Sequence, residues 1–256
     1  MSQVIIRNPN ELITGVPRQE SQAPSPQPPS QSQNIQAPPQ DLLPSQPKQL
    51  VKPVKVVIGM PMTKEVEFRW FVNFLQLLRQ SPHGINTDII VGAQYGVAES
   101  RQKIVDTFLG MPDATHLLWL DTDMFPVDFA IPTLLNDNLP VVSGVYFNSL
   151  YTGLAAWKDE NPLDFQTMVN ASRETPLIEV DKIGMGFCMM KKEVFYALTS
   201  IDRPWFYYKG TDGGSSEDFY FCSLLRRVGI KPVVDLRVQA QHMKMCMIAP
   251  NKAISL

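Results

Sequence analysis

From Val54 onward, short apolar runs alternate with stretches whose apolar residues recur three and four positions apart. That alternation constrains the fold more than any other feature. A strand leading into a helix of ten or more residues brings the chain back to start another strand in the same direction, so the expected product is α/β, a mostly parallel central sheet flanked by helices. Val54-Lys55-Val56-Val57-Ile58, closed by Gly59 and Pro61, predicts a buried first strand. A helix is expected from about Lys64, with Phe71, Phe74, Leu75 and Leu78 on its core face. Asp88-Ile89-Ile90-Val91 reads as a second strand, and Ile104, Val105, Phe108 and Leu109 mark the next helix, with Gly110 just past its end. His116 to Leu120 is a third strand, and Pro140 to Phe147 a fourth that Gly144 interrupts. No period holds from Leu150 to about Glu179. Further on, the pattern predicts a strand over Ile178–Ile183, helices over Lys191–Leu198 and Ser216–Val228, and a last strand near Pro232–Val238.

The first 52 residues obey no such pattern. Eleven of the 22 prolines fall within residues 1–53, ten glutamines within residues 1–50, and all 24 aromatic residues at Phe68 or later. A segment without a ring builds little core, so residues 1–52 are expected to be a disordered Pro/Gln/Ser-rich arm, followed by a folded domain over 53–245 and a tail over 246–256. The arm carries four basic and three acidic residues, which leaves the remainder with 19 basic and 22 acidic ones. That balance lacks the basic face a duplex nucleic-acid binder needs. Cys188, Cys222 and Cys246 are widely spaced and odd in number, which disfavours structural zinc and a disulfide scaffold and suits a reducing compartment. Apolar runs such as Leu117–Leu120 are too short to span a bilayer, and no basic-then-apolar leader is present. The expected location is cytoplasmic.

Chemistry concentrates at a few points. Leu117-Leu118-Trp119-Leu120-Asp121-Thr122-Asp123 sets two carboxylates at the end of an apolar strand, where ligands collect in α/β sheets. Such a pair can grip Mn²⁺ or Mg²⁺ and leave positions open for phosphate oxygens; a polar turn after the strand is the plainer reading. Ser215-Ser216-Glu217-Asp218 opens a helix and reads either as a capping box or as the placement of a general base. His242, after the last strand, either completes a metal shell or is a hydrogen-bonded surface histidine. Gly184-Met185-Gly186 allows close approach of backbone to a ligand, or forms a bulge. No GxGxxG, GxxxxGK[ST] or GxSxG motif occurs, so dinucleotide, P-loop and serine-nucleophile chemistry are disfavoured.

Taken in order, these segments resemble the glycosyltransferases of the GT-A fold, most closely the family-two inverting enzymes. The residues that carry the resemblance are Val54–Pro61, Ala98-Glu99-Ser100-Arg101, LLWLDTDM at 117–124, GMGFCMMKKEVF at 184–195, SEDFYFCSLLRRVG at 216–229 and His242. The resemblance implies a Rossmann-like nucleotide-diphospho-sugar transferase, hexosyltransferase-like, acting on a UDP- or GDP-sugar and on a glycan, protein or lipid-linked acceptor. It further implies that Asp121 and Asp123 hold Mn²⁺ or Mg²⁺ with His242 as third ligand, and that Pro61, Met62 and Thr63 line the nucleotide pocket. By the same resemblance Arg101 contacts the diphosphate or sugar, and Gly184 to Phe187, with Gly186 among them, shape the sugar wall. Asp218 of the Glu217-Asp218 pair is then the base. Where relatives carry an acidic residue after the second strand, this chain has Val91-Gly92-Ala93-Gln94-Tyr95, which makes Gln94 the residue that reads the nucleotide base. The Gln-x-x-Arg-Trp motif of processive members is absent. A non-catalytic GT-A-like module, binding carbohydrate or serving assembly and tethered by the arm, is the competing reading; a metal-dependent nucleotidyltransferase lacks its Gly-rich basic first loop here.

Overall fold

The computed structural model describes residues 53–62, 66–79, 86–93, 96–148, 153–164, 166, 169–170, 175–208, 216–243, 246–249 and 252–255. The arm, Thr63, Gln94 and the glycine-rich stretch 209–215 lie outside the described residues. The elements run β1 (Lys55–Met62), α1 (Phe68–Arg79), β2 (Asn86–Ala93), α2 (Val97–Leu109), β3 (His116–Leu120), β4 (Met124–Pro126), α3 (Ala130–Asp137) and β5 (Val141–Val145). They continue with β6 (Ala156–Lys158), β7 (Asn161–Pro162), β8 (Leu177–Glu179), β9 (Lys182–Ile183), β10 (Phe187–Lys191), α4 (Lys192–Ala197), α5 (Glu217–Arg227), β11 (Val233–His242), β12 (Cys246–Ala249) and β13 (Lys252–Ser255).

Strands β2-β1-β3-β10-β5-β11-β4 lie side by side in that order, with β8 also on β11. Where the sequence alternates strictly between strand and helix the pairing is parallel, as expected: β1 with β2 and with β3. β5 and β11 are parallel too. The sheet as a whole is mixed, because β10 runs antiparallel to both β3 and β5, and β4 and β8 run antiparallel to β11. Between β5 and β10 the chain travels through short strands, of which β6 pairs with β7 and β9 while β8 joins β11, and no long crossover helix among the described residues turns it round.

Both faces of the sheet are covered, and strand periodicity decides which side chain goes where. Val57 packs with Ile104, Val105 and Phe108 of α2 on one face. Its neighbours Val56 and Ile58 pack with Trp70 and Phe74 of α1 on the other. Each such side chain contributes about 1.5–3 kcal/mol by leaving water. The inward stripe of α1 is Trp70, Phe74 and Leu77, not the expected Phe71 and Leu75, which are exposed. Both stripes satisfy a helical period; Trp70 wins the core because it stacks on Phe74 at 5.1 Å between centroids and donates its indole N–H to the Asp121 carbonyl at 3.3 Å.

Two features carry the chain to the site. Gly144 does not break β5: a side chain there would meet Phe187 of β10 at 2.7 Å, so glycine permits close packing of strands. β11 is longer than expected and shifts register on β5 between Asp235 and Gln239. Beyond that irregularity it pairs with β4, with His242 opposite Met124.

Candidate active site

Asp121, Asp123, Tyr146, Trp157, Gly184, Gly186, Ser216, Asp218, Phe219 and His242 all line one cavity of about 290 Å³. Asp121 and Asp123 lie in the turn between β3 and β4, Asp218 in the first turn of α5, and His242 at the end of β11. The cavity therefore opens beyond the carboxyl end of β3, where the topology of an α/β sheet directs ligands.

Arg101, in α2, is the centre of the charged network, with its side chain 1% exposed. Nη2 donates to both Asp121 oxygens at 3.2 Å and Nη1 to the Met185 carbonyl at 3.3 Å. Nε lies 3.6 Å from Glu217 and 3.7 Å from Asp218, and the guanidinium sits 5.2 Å from the centre of the Trp119 ring. Burial alone lowers an arginine's proton affinity, but the three carboxylates together raise it. Arg101 is thus a buried clamp on protein carboxylates, beneath the cavity rather than in it.

Asp218 has two kinds of constraint. Its Oδ2 accepts the Met185 N–H at 3.1 Å, and its Oδ1 has no hydrogen bond among the described residues. Burial, opposed by Arg101 and reinforced by Glu217 and Asp121, pushes its carboxyl up to about 7. The capping reading of this segment holds, with a shift of one residue. Ser216, not Ser215, is the N-cap, accepting the Phe219 N–H at 3.3 Å, and Asp218, two residues on, lines the cavity.

Asp123 and His242 form a second pair in the same cavity. His242 Nε2 lies 3.2 Å from Asp123 Oδ2, while Nδ1 lies 2.9 Å from the Phe147 carbonyl oxygen. A carbonyl only accepts, so Nδ1 carries a hydrogen. Nε2 and the carboxylate oxygen then face each other across a gap that a proton or a cation must fill. A metal-binding histidine is oriented in this way, with its distal N–H on a backbone carbonyl. The Met243 N–H, donating to the Asp123 carbonyl at 2.8 Å, fixes the turn. Asp121 is not drawn into this pair, since both its oxygens face Arg101. Among the described residues no group of three His, Cys, Asp or Glu side chains is arranged around a common point.

The two glycines owe their place to Tyr146, which the sequence hides in an apolar strand. A side chain on Gly184 would stand 2.5 Å from the Tyr146 hydroxyl, and that hydroxyl accepts the Gly186 N–H at 2.9 Å. Burial raises the Tyr146 hydroxyl well above its usual range, so it stays protonated. Trp157, edge-on to Phe219 at 4.6 Å, is the other wall residue that composition and period do not single out. Pro61 and Met62 end β1, and Met62 lines a separate apolar cavity with Met60, Val66 and Phe68. Thr63 and Gln94, expected at the nucleotide, are outside the described residues.

No family model and no curated protein matches the sequence. Among solved structures, A197 from STIV is similar with a TM-score of 0.54 and 24% identity, over 79% of this chain and 93% of that one. GalNAc-T7, crystallised with UDP, GalNAc and Mn²⁺, is similar with a TM-score of 0.53 and 12% identity, over 75% of this chain. The chain spans 44% of the GalNAc-T7 chain. The sheet order, the helices on both faces and these likenesses together make this an α/β structure of the GT-A fold.

Proposed function

We propose that the protein is a glycosyltransferase that moves a sugar from a nucleotide-sugar donor to an acceptor hydroxyl, with inversion and with Asp218 as base. The observation that carries this reading is the presence, in one cavity, of the half-buried Asp218 carboxyl, which burial pushes up to about 7, and the Asp123–His242 pair. A base poised near neutral pH accepts a proton from a hydroxyl efficiently. In the proposed step the acceptor oxygen bonds to the sugar's anomeric carbon, the bond from that carbon to the diphosphate breaks, and the hydroxyl proton passes to Asp218.

Asp123 and His242 suit a hard divalent ion, Mn²⁺ or Mg²⁺, which keeps sites open for phosphate oxygens and water. Such an ion, when bound, offsets charge on the departing diphosphate. The UDP and Mn²⁺ of GalNAc-T7 support that assignment. Asp121, tied to Arg101, orients the turn that presents Asp123. Tyr146 and the glycine pair shape the sugar-facing wall.

Thermal melting with UDP and with GDP, each with Mn²⁺ or with chelator, tests the reading. A nucleotide at a hundredfold its dissociation constant adds about 2.7 kcal/mol to stability. A metal-dependent rise in Tm with one of them is expected; no rise with either refutes the donor site.

A further inference from the structure

α1 is apolar on two sides. Its inner stripe is in the core, yet Phe68, Phe71, Val72 and Leu75, spaced i, i+3, i+4, i+7, form an outer stripe that is exposed, Phe68 at 77% and Phe71 at 49%. A helix that is apolar all round is ordinarily buried all round, and a contiguous exposed apolar face marks a binding surface. The face continues beyond the helix. Ile89 and Val91 of β2 are exposed as well, and the parallel register sets them beside Ile58 and Met60, which pack under α1. They therefore share the side of the sheet that α1 only partly covers.

Charge identifies the occupant. The only charged residues of α1 are Arg69 and Arg79, both exposed, and the nearest acid, Glu67, precedes the helix. Arg79 continues the outer stripe, four positions beyond Leu75. A stripe of Phe, Val and Leu on a helix whose two charged residues are both arginines, with one acid, Glu67, at its start, suits the interface of an anionic bilayer, where the apolar side chains enter the acyl boundary and guanidinium groups stay among phosphates. No helix among the described residues is long and apolar enough to cross a membrane, so this contact is interfacial. A groove of about 510 Å³ flanks the same helix, lined by Phe68 and Val72 together with His242 and Met243. It joins the surface to the site.

We infer that the outer face of α1, extended by Ile89 and Val91, docks this protein on an anionic lipid surface. The inference stands apart from the transferase reading, which the nucleotide melts test separately. Flotation of the full chain with phosphatidylcholine vesicles, with and without phosphatidylserine, decides it. Binding to the anionic vesicles is expected, and the double substitution Phe71→Ser, Leu75→Ser should weaken it by about tenfold or more. Arg79→Glu should abolish the preference for phosphatidylserine without altering the melt. Failure of the wild-type chain to float, or equal flotation of all variants, overturns the proposal. So does a concentration-dependent dimer in sedimentation that the same serine substitutions abolish, because the face would then belong to a second copy.

Discussion

Arg101 faces Asp121, Glu217 and Asp218 at once, and one buried cation does not neutralise three half-buried carboxylates. The imbalance falls on Asp218, whose carboxyl stands near 7. A base works only when ionised, so kcat/KM should rise as pH rises through about 7 and level off above it; a flat profile between about pH 6 and 8 would exclude Asp218 as the base. Stability runs the other way. The carboxyl binds its proton more tightly folded, near 7, than at its ordinary 3.8, so its stabilising effect is full below that value and lost as pH climbs through 7. Asp218→Asn should therefore abolish transfer yet melt no lower than the wild type at pH 8. Arg101→Met is the harsher change, leaving half-buried charge uncompensated, and denaturant titration should show a loss of about 3–5 kcal/mol. Arg101→Lys should fall between, because an ammonium lacks the fork that reaches Asp121 and the Met185 carbonyl at once. At this scale the sequence marks the carboxylates and His242 by their place at strand and helix ends. It does not mark Arg101 as buried, because a charged residue in a helix is ordinarily solvated, nor Tyr146, whose ring is one more apolar residue until its hydroxyl meets Gly186.

The strand and helix elements were the most readable level, since β1, β2, β3, α2 and α5 follow from periods of two and 3.6 that burial enforces. β3 occupies the expected residues, and α5 ends before Gly229, which at φ 75° takes the left-handed conformation that terminates a helix. α3 escapes the same reading. It has eight residues and a proline, but Pro132 lies in the first turn, where its missing N–H costs nothing, and Ala130, Ile131 and Leu134 fill the core side. β4 is three residues long, too short to show a period. The turn of α1 toward Trp70 depends on which stripe finds a partner across the sheet, which no single helix encodes. The N-cap of α5 links element to chemistry. Ser216→Ala removes the acceptor for the Phe219 N–H and should lower stability by about 1 kcal/mol, measured by denaturant titration. Because Asp218 lies two residues beyond the cap, kcat should fall while nucleotide affinity holds; loss of both in proportion would mean that the cap supports the fold alone.

For the molecule as a whole, the formal net charge is -2 and the residues after the arm are more acidic than basic. Among the described residues no lysine or arginine lines the site cavity, and the one arginine beneath it is committed to protein carboxylates. In the proposed reading, affinity for a nucleoside diphosphate comes from a cation that Asp123 and His242 would hold in place, a short-range contact inside a cavity rather than a field spread over a surface. The two sources respond differently to solution conditions. A surface field is screened within about 10 Å at 0.1 M salt, and proteins that bind phosphates through many lysines and arginines lose affinity steeply as salt rises. Coordination at a fixed metal is removed by chelation instead. Calorimetric titration of UDP or GDP in the presence of Mn²⁺ should therefore show affinity that falls by less than about tenfold between 50 and 200 mM salt, since few exposed charges contribute. Excess chelator at constant ionic strength should lower it by about a hundredfold or more, the loss of a charged ligand to the diphosphate. The reverse pattern, steep in salt and indifferent to chelator, would move phosphate recognition from the Asp123–His242 pair to a basic surface.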